Sequence, residues 1–143
     1  MFKHILIATD GSPLANKAAK AGIALASALG AKVTGYYAVE PIEPLYVGGR
    51  AFAREGIEDN AREAGQQVVD AIGKMAKAAG VPFTALVTKA DNSYEGIIAA
   101  AKKSKCDVIF MASHGRRGLS ELIMGSVTHK VLTYCKIPVV VYR

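Results

Sequence analysis

The two cysteines of this chain, Cys106 and Cys135, lack the company that zinc or redox chemistry needs. They form no C-x-x-C pair, and no cluster of His, Cys or carboxylate residues has metal-ligand spacing. Two free, mostly buried thiols in a cytoplasmic protein are the expectation. No apolar run approaches the length of a membrane span. The opening "MFKHILIATDG" has one lysine, a short apolar run and an Asp-Gly stop in place of a small-residue cleavage site, so it reads as a first strand and not as a signal peptide. Aromatics are few and do not interleave with basic residues, which argues against nucleic acid despite a net charge of +6. The lysines at 17, 20, 32, 74, 77, 102, 103 and 105 are scattered, as solvated helix faces and loops predict. Only Arg116 and Arg117 sit where charge can be aimed. Internal repeats, low-complexity tracts and linkers are absent too, and 143 residues, half of them apolar, suit one domain spanning 1–143.

Apolar β-rich runs alternate with helical patterns. "FKHILIATD" is continuously apolar at Ile5, Leu6 and Ile7, as a strand covered on both faces would be. Ser12 is placed as an N-cap with Pro13 at the first helical position, and Gly30 as the stop. "AKVTGYYAVE" is a second strand. "PIEPLYVGGRAF" reads as a loop, before a helix through Ala79 whose inner face is Ala61, Ala64, Val68, Ile72, Met75 and Ala79. "PFTALVTKA" is a third strand, and Asn92 with Glu95 predicts a capping box ahead of a helix that turns Ile97 and Ile98 inward. "CDVIFMAS", a short helix "SVTHKVLTY" and a strand "IPVVVYR" complete the order. Strands joined by helix-length crossovers call for one doubly wound α/β domain with a five-stranded, mostly parallel sheet and helices on both faces.

In such sheets ligands bind beyond the carboxyl ends of the strands, where strand order reverses. With the first strand beside the fourth, Asp10 and Ser113 share one crevice. The stretch "SHGRRGLSELIMGSVT" then becomes the centre of interest. Glycines 115 and 118 clear Cβ atoms from the backbone, and Gly125-Ser126 opens a helix whose first amides, at Val127 and Thr128, have no intrahelical partner. The nine residues from Arg116 to Met124 let the chain leave the sheet and return with Gly125 near Gly115. Ser126 can cap that helix or bond a phosphate oxygen. The other reading is architectural, with glycines making turns and Ser126 a plain cap. Neither G-x-x-x-x-G-K-[ST] nor G-x-G-x-x-G is present.

"ILIATDGS", "ASHGRRGLS", "GSVTHKVL" and "IPVVV" together give the whole chain a resemblance to the universal stress proteins. The nucleotide-binding members carry G-x-x-G, nine residues, then G-[ST]; this chain has that spacing through Gly115, Gly125 and Ser126, with Ala112 in place of the first glycine. The resemblance implies an adenine nucleotide alpha hydrolase-like fold with strand order 3-2-1-4-5. It also implies ATP, or ADP or AMP, with magnesium on the phosphates. Asp10 would meet the ribose, the backbone of Ala38 and Val39 the adenine edge, and Gly115, Gly125, Ser126 and Val127 the phosphates. Thr9, Ala112, His114, Arg116 and Thr128 complete the implied nucleotide-binding set. Ala112 adds a methyl where the family's ribose approaches, which predicts weakened binding. The resemblance further implies a homodimer through the terminal strand, Pro138 to Tyr142, an apolar edge open to a second copy.

Several residues have plainer alternatives. Asp10 can be a turn former, and Glu40 a solvated loop carboxylate. Ser113 and His114, as sequence neighbours at a strand end, are expected to project apart, and without a G-x-S-x-G elbow no hydrolase triad is expected. His4 is read as a packed or edge histidine and His129 as solvent-facing. Arg116 and Arg117 are either a mobile clamp over a triphosphate or two exposed arginines. Three functions remain: an ATP-binding stress-response module without a catalytic residue, a slow ATPase or autophosphorylating protein using Ser126 or a neighbouring hydroxyl, or a nucleotide-free dimeric scaffold.

Overall fold

The computed structural model describes residues 1–52, 55–116 and 123–143. Arg117 and Gly118 lie outside the described residues. The elements in chain order are β1 (His4–Ala8), α1 (Pro13–Leu29), β2 (Lys32–Val39), β3 (Leu45–Val47), β4 (Arg50–Phe52), α2 (Glu55–Ala78), β5 (Phe83–Lys89), α3 (Ser93–Lys103), β6 (Val108–Ala112), α4 (Ser126–Tyr134) and β7 (Val139–Tyr142).

Five strands form one parallel sheet in the order β5-β2-β1-β6-β7. Strand β1 is central because both of its edges and both of its faces are covered. Ile5 and Ile7 fall in the apolar cluster with α1 and Ile72 of α2. Leu6 and Ala8 fall in the opposite cluster, with Ile97 of α3 and Val131 of α4. Two-residue alternation thus splits a continuous apolar run between two cores, as a doubly wound sheet requires.

The fold class is the one expected, with a difference in detail. Residues read as loop between β2 and α2 contain an antiparallel hairpin, β3–β4, which stands outside the main sheet and changes the count of strands, so that the sheet's third strand is β5. Its turn is Gly48-Gly49, both at positive φ (61° and 77°), the pairing that a tight hairpin turn favours.

The inner face of α2 is also rotated from the expected stripe. Gly65, Val69, Ile72 and Ala76 are its buried positions, whereas Ala64 and Ala79 are exposed. Two rings cause this. A side chain at Gly65 would collide with the Tyr37 ring, and one at Gly73 would reach the Phe83 ring at 3.0 Å. Glycines that carry no hydropathy signal are what let α2 lie down on β2 and β5.

Ser12 caps α1 as predicted, accepting the Ala15 amide at 3.3 Å, with Pro13 opening the helix and Gly30 closing it at φ 65°. Asn92 occupies the N-cap position of α3 but its side chain caps nothing. The carboxylate of Glu40, at the end of β2, does so instead: Oε1 accepts from the Ser93 amide at 3.0 Å and from the Ser93 hydroxyl at 2.6 Å. Glu40 is therefore a helix-terminal anion, not a loose loop carboxylate.

Candidate functional site

The carboxyl ends of β1, β2 and β6 surround a cavity of about 560 Å³. Its construction starts at the end of β6. The Ala112 carbonyl accepts the Thr128 hydroxyl at 2.8 Å, and the Ser113 carbonyl accepts the Gly125 amide at 2.7 Å. These two bonds draw the start of α4 back onto the end of β6 and close the base of the intervening loop. The fit is tight: a Cβ on Gly125 would come within 3.0 Å of the His114 Cα.

Gly125, not Ser126, is the N-cap of α4, in extended conformation (φ −62°, ψ 153°) and with no side chain to cap with. The first amide to find a helical acceptor is that of His129, bonded to the Gly125 carbonyl at 3.0 Å. Among the described residues the amides of Ser126, Val127 and Thr128 have no backbone or side-chain partner. Three N–H groups at the positive end of a helix thus open on the cavity, the arrangement that holds an oxyanion.

The opposite wall is the β1–α1 turn. Asp10 joins it to the glycine loop: Oδ2 accepts the Arg116 amide at 2.8 Å and Oδ1 the Ser12 amide at 2.9 Å. A Cβ on Gly115 would overlap that carboxylate, so glycine is required for the loop to approach. Thr9 Oγ1 accepts the Gly11 amide at 3.1 Å, and Gly11 sits at φ 78°. The Arg116 guanidinium lies back across Gly11, since a Cβ there would be 3.3 Å from Nη2. Arg116 thus runs along the turn while remaining exposed to solvent.

All twelve residues singled out from sequence line this one cavity: Thr9, Asp10, Ala38, Val39, Ala112, His114, Gly115, Arg116, Gly125, Ser126, Val127 and Thr128. Ser113 does not. It is 4% exposed, and its hydroxyl pairs with His114 Nδ1 at 3.2 Å. The two neighbours were expected to project apart and do not; even so, a buried hydroxyl outside the lining is no nucleophile for a ligand in the cavity. His129 is exposed and outside the lining, as expected. His4 lies at the far end of the sheet, its Nε2 bonded to Thr34 Oγ1 at 2.8 Å.

Ala112 is 7% exposed and belongs to the apolar cluster that contains Ala15 and Ala18 of α1. Its methyl is thus part of the packing beneath α1, and the structure accommodates it without displacing the β6–α4 closure.

Other lining residues fall outside the set expected from sequence, among them Tyr36, Tyr94 and Lys130. Tyr36 is fully buried, and burial pushes its phenol pKa up while the hydrogen bond shared with Thr88 Oγ1 (2.7 Å) pulls it down, with burial prevailing. Tyr94, second residue of α3, and Lys130 of α4 complete the mouth. Lys130 had a signal: it follows Ser126 by four residues and so shares its helix face.

A profile of the universal stress protein family matches residues 1–143. A universal stress protein of Methanocaldococcus jannaschii is 33% identical over 143 residues, covering 100% of this chain and 83% of its own. Another, from Thermus aquaticus, is 33% identical over 143 residues and 100% of both chains. Among solved structures, a family protein from Burkholderia pseudomallei superposes with a TM-score of 0.78 at 22% identity, over 98% of this chain and 95% of that one. A universal stress protein in complex with cAMP gives 0.75 at 19%, over 99% and 97% of the two chains. One from Archaeoglobus fulgidus in complex with dAMP gives 0.65 at 16%, over 100% and 98%. A family profile matched from end to end, on a sheet with the family's architecture, places this chain in the universal stress protein family.

Proposed function

We propose that this chain binds an adenine nucleotide, ATP foremost, and works as a nucleotide-dependent stress-response or signalling module. The observation that carries the reading is the β6–α4 closure, which among the described residues leaves the amides of Ser126, Val127 and Thr128 unpartnered beside Gly115 and Gly125. An anion is the complement of that arrangement. A cavity of about 560 Å³ suits a mononucleotide, since small-ligand sites run from roughly 300 to 1,000 Å³. Two relatives of the same fold are solved with cAMP and with dAMP, both adenine nucleotides.

In this reading the phosphates rest on Gly115, Gly125, Ser126 and Val127, with His114, Arg116 and Thr128 around them, and the base lies against the backbone of Ala38 and Val39 near Thr9 and Asp10. Among the described residues no three carboxylates, histidines or cysteines gather as metal ligands. Magnesium would accordingly be held by the phosphates themselves, offsetting their charge. The working form is a homodimer joined along Pro138–Tyr142, located in the cytoplasm; among the described residues no helix is long and apolar enough to cross a membrane.

One observation favours a second reading, a nucleotide-free scaffold. Both oxygens of Asp10 already accept backbone amides, so the carboxylate serves loop architecture whether or not a ribose is present. The test separates the two. Protein purified without added nucleotide is denatured and its released small molecules are identified by mass spectrometry, and the untreated protein is titrated with ATP and magnesium. Recovered nucleotide or one saturable site per chain supports the first reading. No ligand and no binding at millimolar ATP supports the scaffold.

A further inference from the structure

Among the described residues, Lys130 holds the one ammonium that lines the cavity, and no ion pair neutralises it. Lys89 pairs with Glu58, whereas Lys130 forms no ion pair among the described residues. The Lys130 Nζ instead lies over the Tyr94 ring, 5.3 Å from its centroid. That ring is held from two sides: it stacks on Tyr134 of α4 at 5.6 Å between centroids, and its hydroxyl donates to Glu95 Oε1 at 3.0 Å. Tyr94 is therefore a fixed platform where the start of α3 meets α4, and both Tyr94 and Lys130 line the cavity.

A cation over a partly buried ring gains only about 1 kcal/mol. The contact positions the ammonium without cancelling its charge, and it can be given up for a stronger partner. Ser126 stands one turn before Lys130 on the same face of α4, and long helical side chains lean toward the N-terminus of their helix. An anion seated on the open amides of α4 thus lies on the side toward which Lys130 leans. Charge-assisted hydrogen bonds to phosphate are the stronger class.

We infer that Lys130 is a specificity-determining residue of this cavity, held at the mouth by Tyr94 and released to the outer phosphates of a bound nucleotide, so that the site prefers a polyphosphate over an uncharged nucleoside. This rests on the nucleotide reading of the site. Glu95 contributes by fixing the ring, since its carboxylate takes the Tyr94 hydroxyl and forms no ion pair with Lys130.

The experiment measures dissociation constants for ATP and for adenosine, by calorimetry on the intact chain, in wild type, Lys130→Met and Lys130→Arg. Lys130→Met is expected to weaken ATP roughly tenfold while adenosine stays within about twofold, and Lys130→Arg to restore most of the ATP affinity, because only a cation is required. Unchanged ATP affinity in Lys130→Met overturns the inference and leaves the nucleotide reading standing. Equal weakening of ATP and adenosine also overturns it, showing that Lys130 only shapes the fold. A wild-type chain that binds neither ligand removes the nucleotide reading and this inference together.

Discussion

The carboxylate of Asp10 accepts the backbone amide of Arg116 at 2.8 Å, across 106 residues of sequence, and thereby ties the first loop of the sheet to the fourth. Its other oxygen holds the Ser12 amide beside the cap of α1. One side chain thus fixes the distance between the two walls of the cavity. Replacement by Ala frees both amides; that of Arg116 is exposed and can turn to water, whereas Ser12 is buried, so the cost in stability is about 1–2 kcal/mol. The effect on the cavity is larger. Asp10→Ala should unfold in urea at a slightly lower midpoint with unchanged slope, and should bind ATP at least tenfold more weakly. A mutant with wild-type ATP affinity would show that the wall spacing does not matter for the ligand.

Gly115 tests the same contact from the other side. A methyl there overlaps the Asp10 carboxylate, so Gly115→Ala must displace either the loop or the acid. Residues in contact couple, with interaction energies of roughly 0.5–3 kcal/mol. Gly115→Ala should therefore be costly alone and cheaper in the Asp10→Ala background, where the obstacle is gone. A double-mutant cycle on ATP affinity reads this directly, and strict additivity would mean that the methyl acts elsewhere.

Thr128 is 1% exposed and its hydroxyl closes α4 onto Ala112. Thr128→Val keeps the shape and loses the donor, leaving a buried carbonyl with a weaker complement of partners. Such losses cost about 1–3 kcal/mol. The expected result is a stability loss of that order by denaturant unfolding, with ATP affinity reduced because the amide cradle is no longer held to the strand. Retained stability and affinity together would show that the Gly125–Ser113 bond suffices to close the loop.

At the opposite end of the sheet, His4 and Asp107 set the response to acid. Burial, then the Lys32 charge, holds the His4 pKa below 6.5, outweighing the pull of Asp107 and of the Ser104 backbone. A histidine depressed in the fold binds its proton more readily when unfolded, so stability rises with pH through the interval below 6.5 and is lost as pH falls through it. Burial would raise the Asp107 pKa, but the amides of Lys3, His4 and Asp107 itself, with the His4 charge, together bring it below 3.8. That contribution is present above 3.8 and is lost as pH falls through the lowered value. Two successive losses on acidification are expected in urea midpoints measured from pH 7 downward, and His4→Asn should flatten the first while sparing the second.

Element order and the crevice were legible because each rests on local chemistry: apolar runs, Pro13 after Ser12, and glycines spaced so that the chain can return. The parts that sequence obscured depend on partners far along the chain. Asn92 has the identity of a cap, yet Glu40, 53 residues from Ser93, provides the oxygen. Ser126 has the identity of a cap as well, yet Gly125 takes the position because the His114 backbone stands where a Cβ would go. The hairpin β3–β4 was hidden by length, three residues a strand with prolines ahead of it. Along α2 and just past its end, the alanines at 64 and 79 mimic a core stripe, while the true contact is made at Gly65 by the Tyr37 ring. Periodicity reports hydropathy, and a glycine under an aromatic ring has none to report.

The thiols provide a check on packing that does not involve the cavity. Cys106 is 6% exposed among the residues under α3, and burial pushes its pKa up to about 11, more than the nearby Thr34 hydroxyl can offset. At pH 8 its reactive thiolate is then on the order of one part in a thousand. Cys135, after α4, is partly exposed. Iodoacetamide at pH 8 should therefore modify Cys135 in the native protein and leave Cys106 intact until urea is added, as peptide mass mapping would record. Because the thiol is held neutral in the fold, its contribution to stability is present below pH 9 and is lost as pH rises toward 11. Equal labelling of both cysteines without denaturant would mean that the α3 face of the sheet opens far more readily than its burial implies.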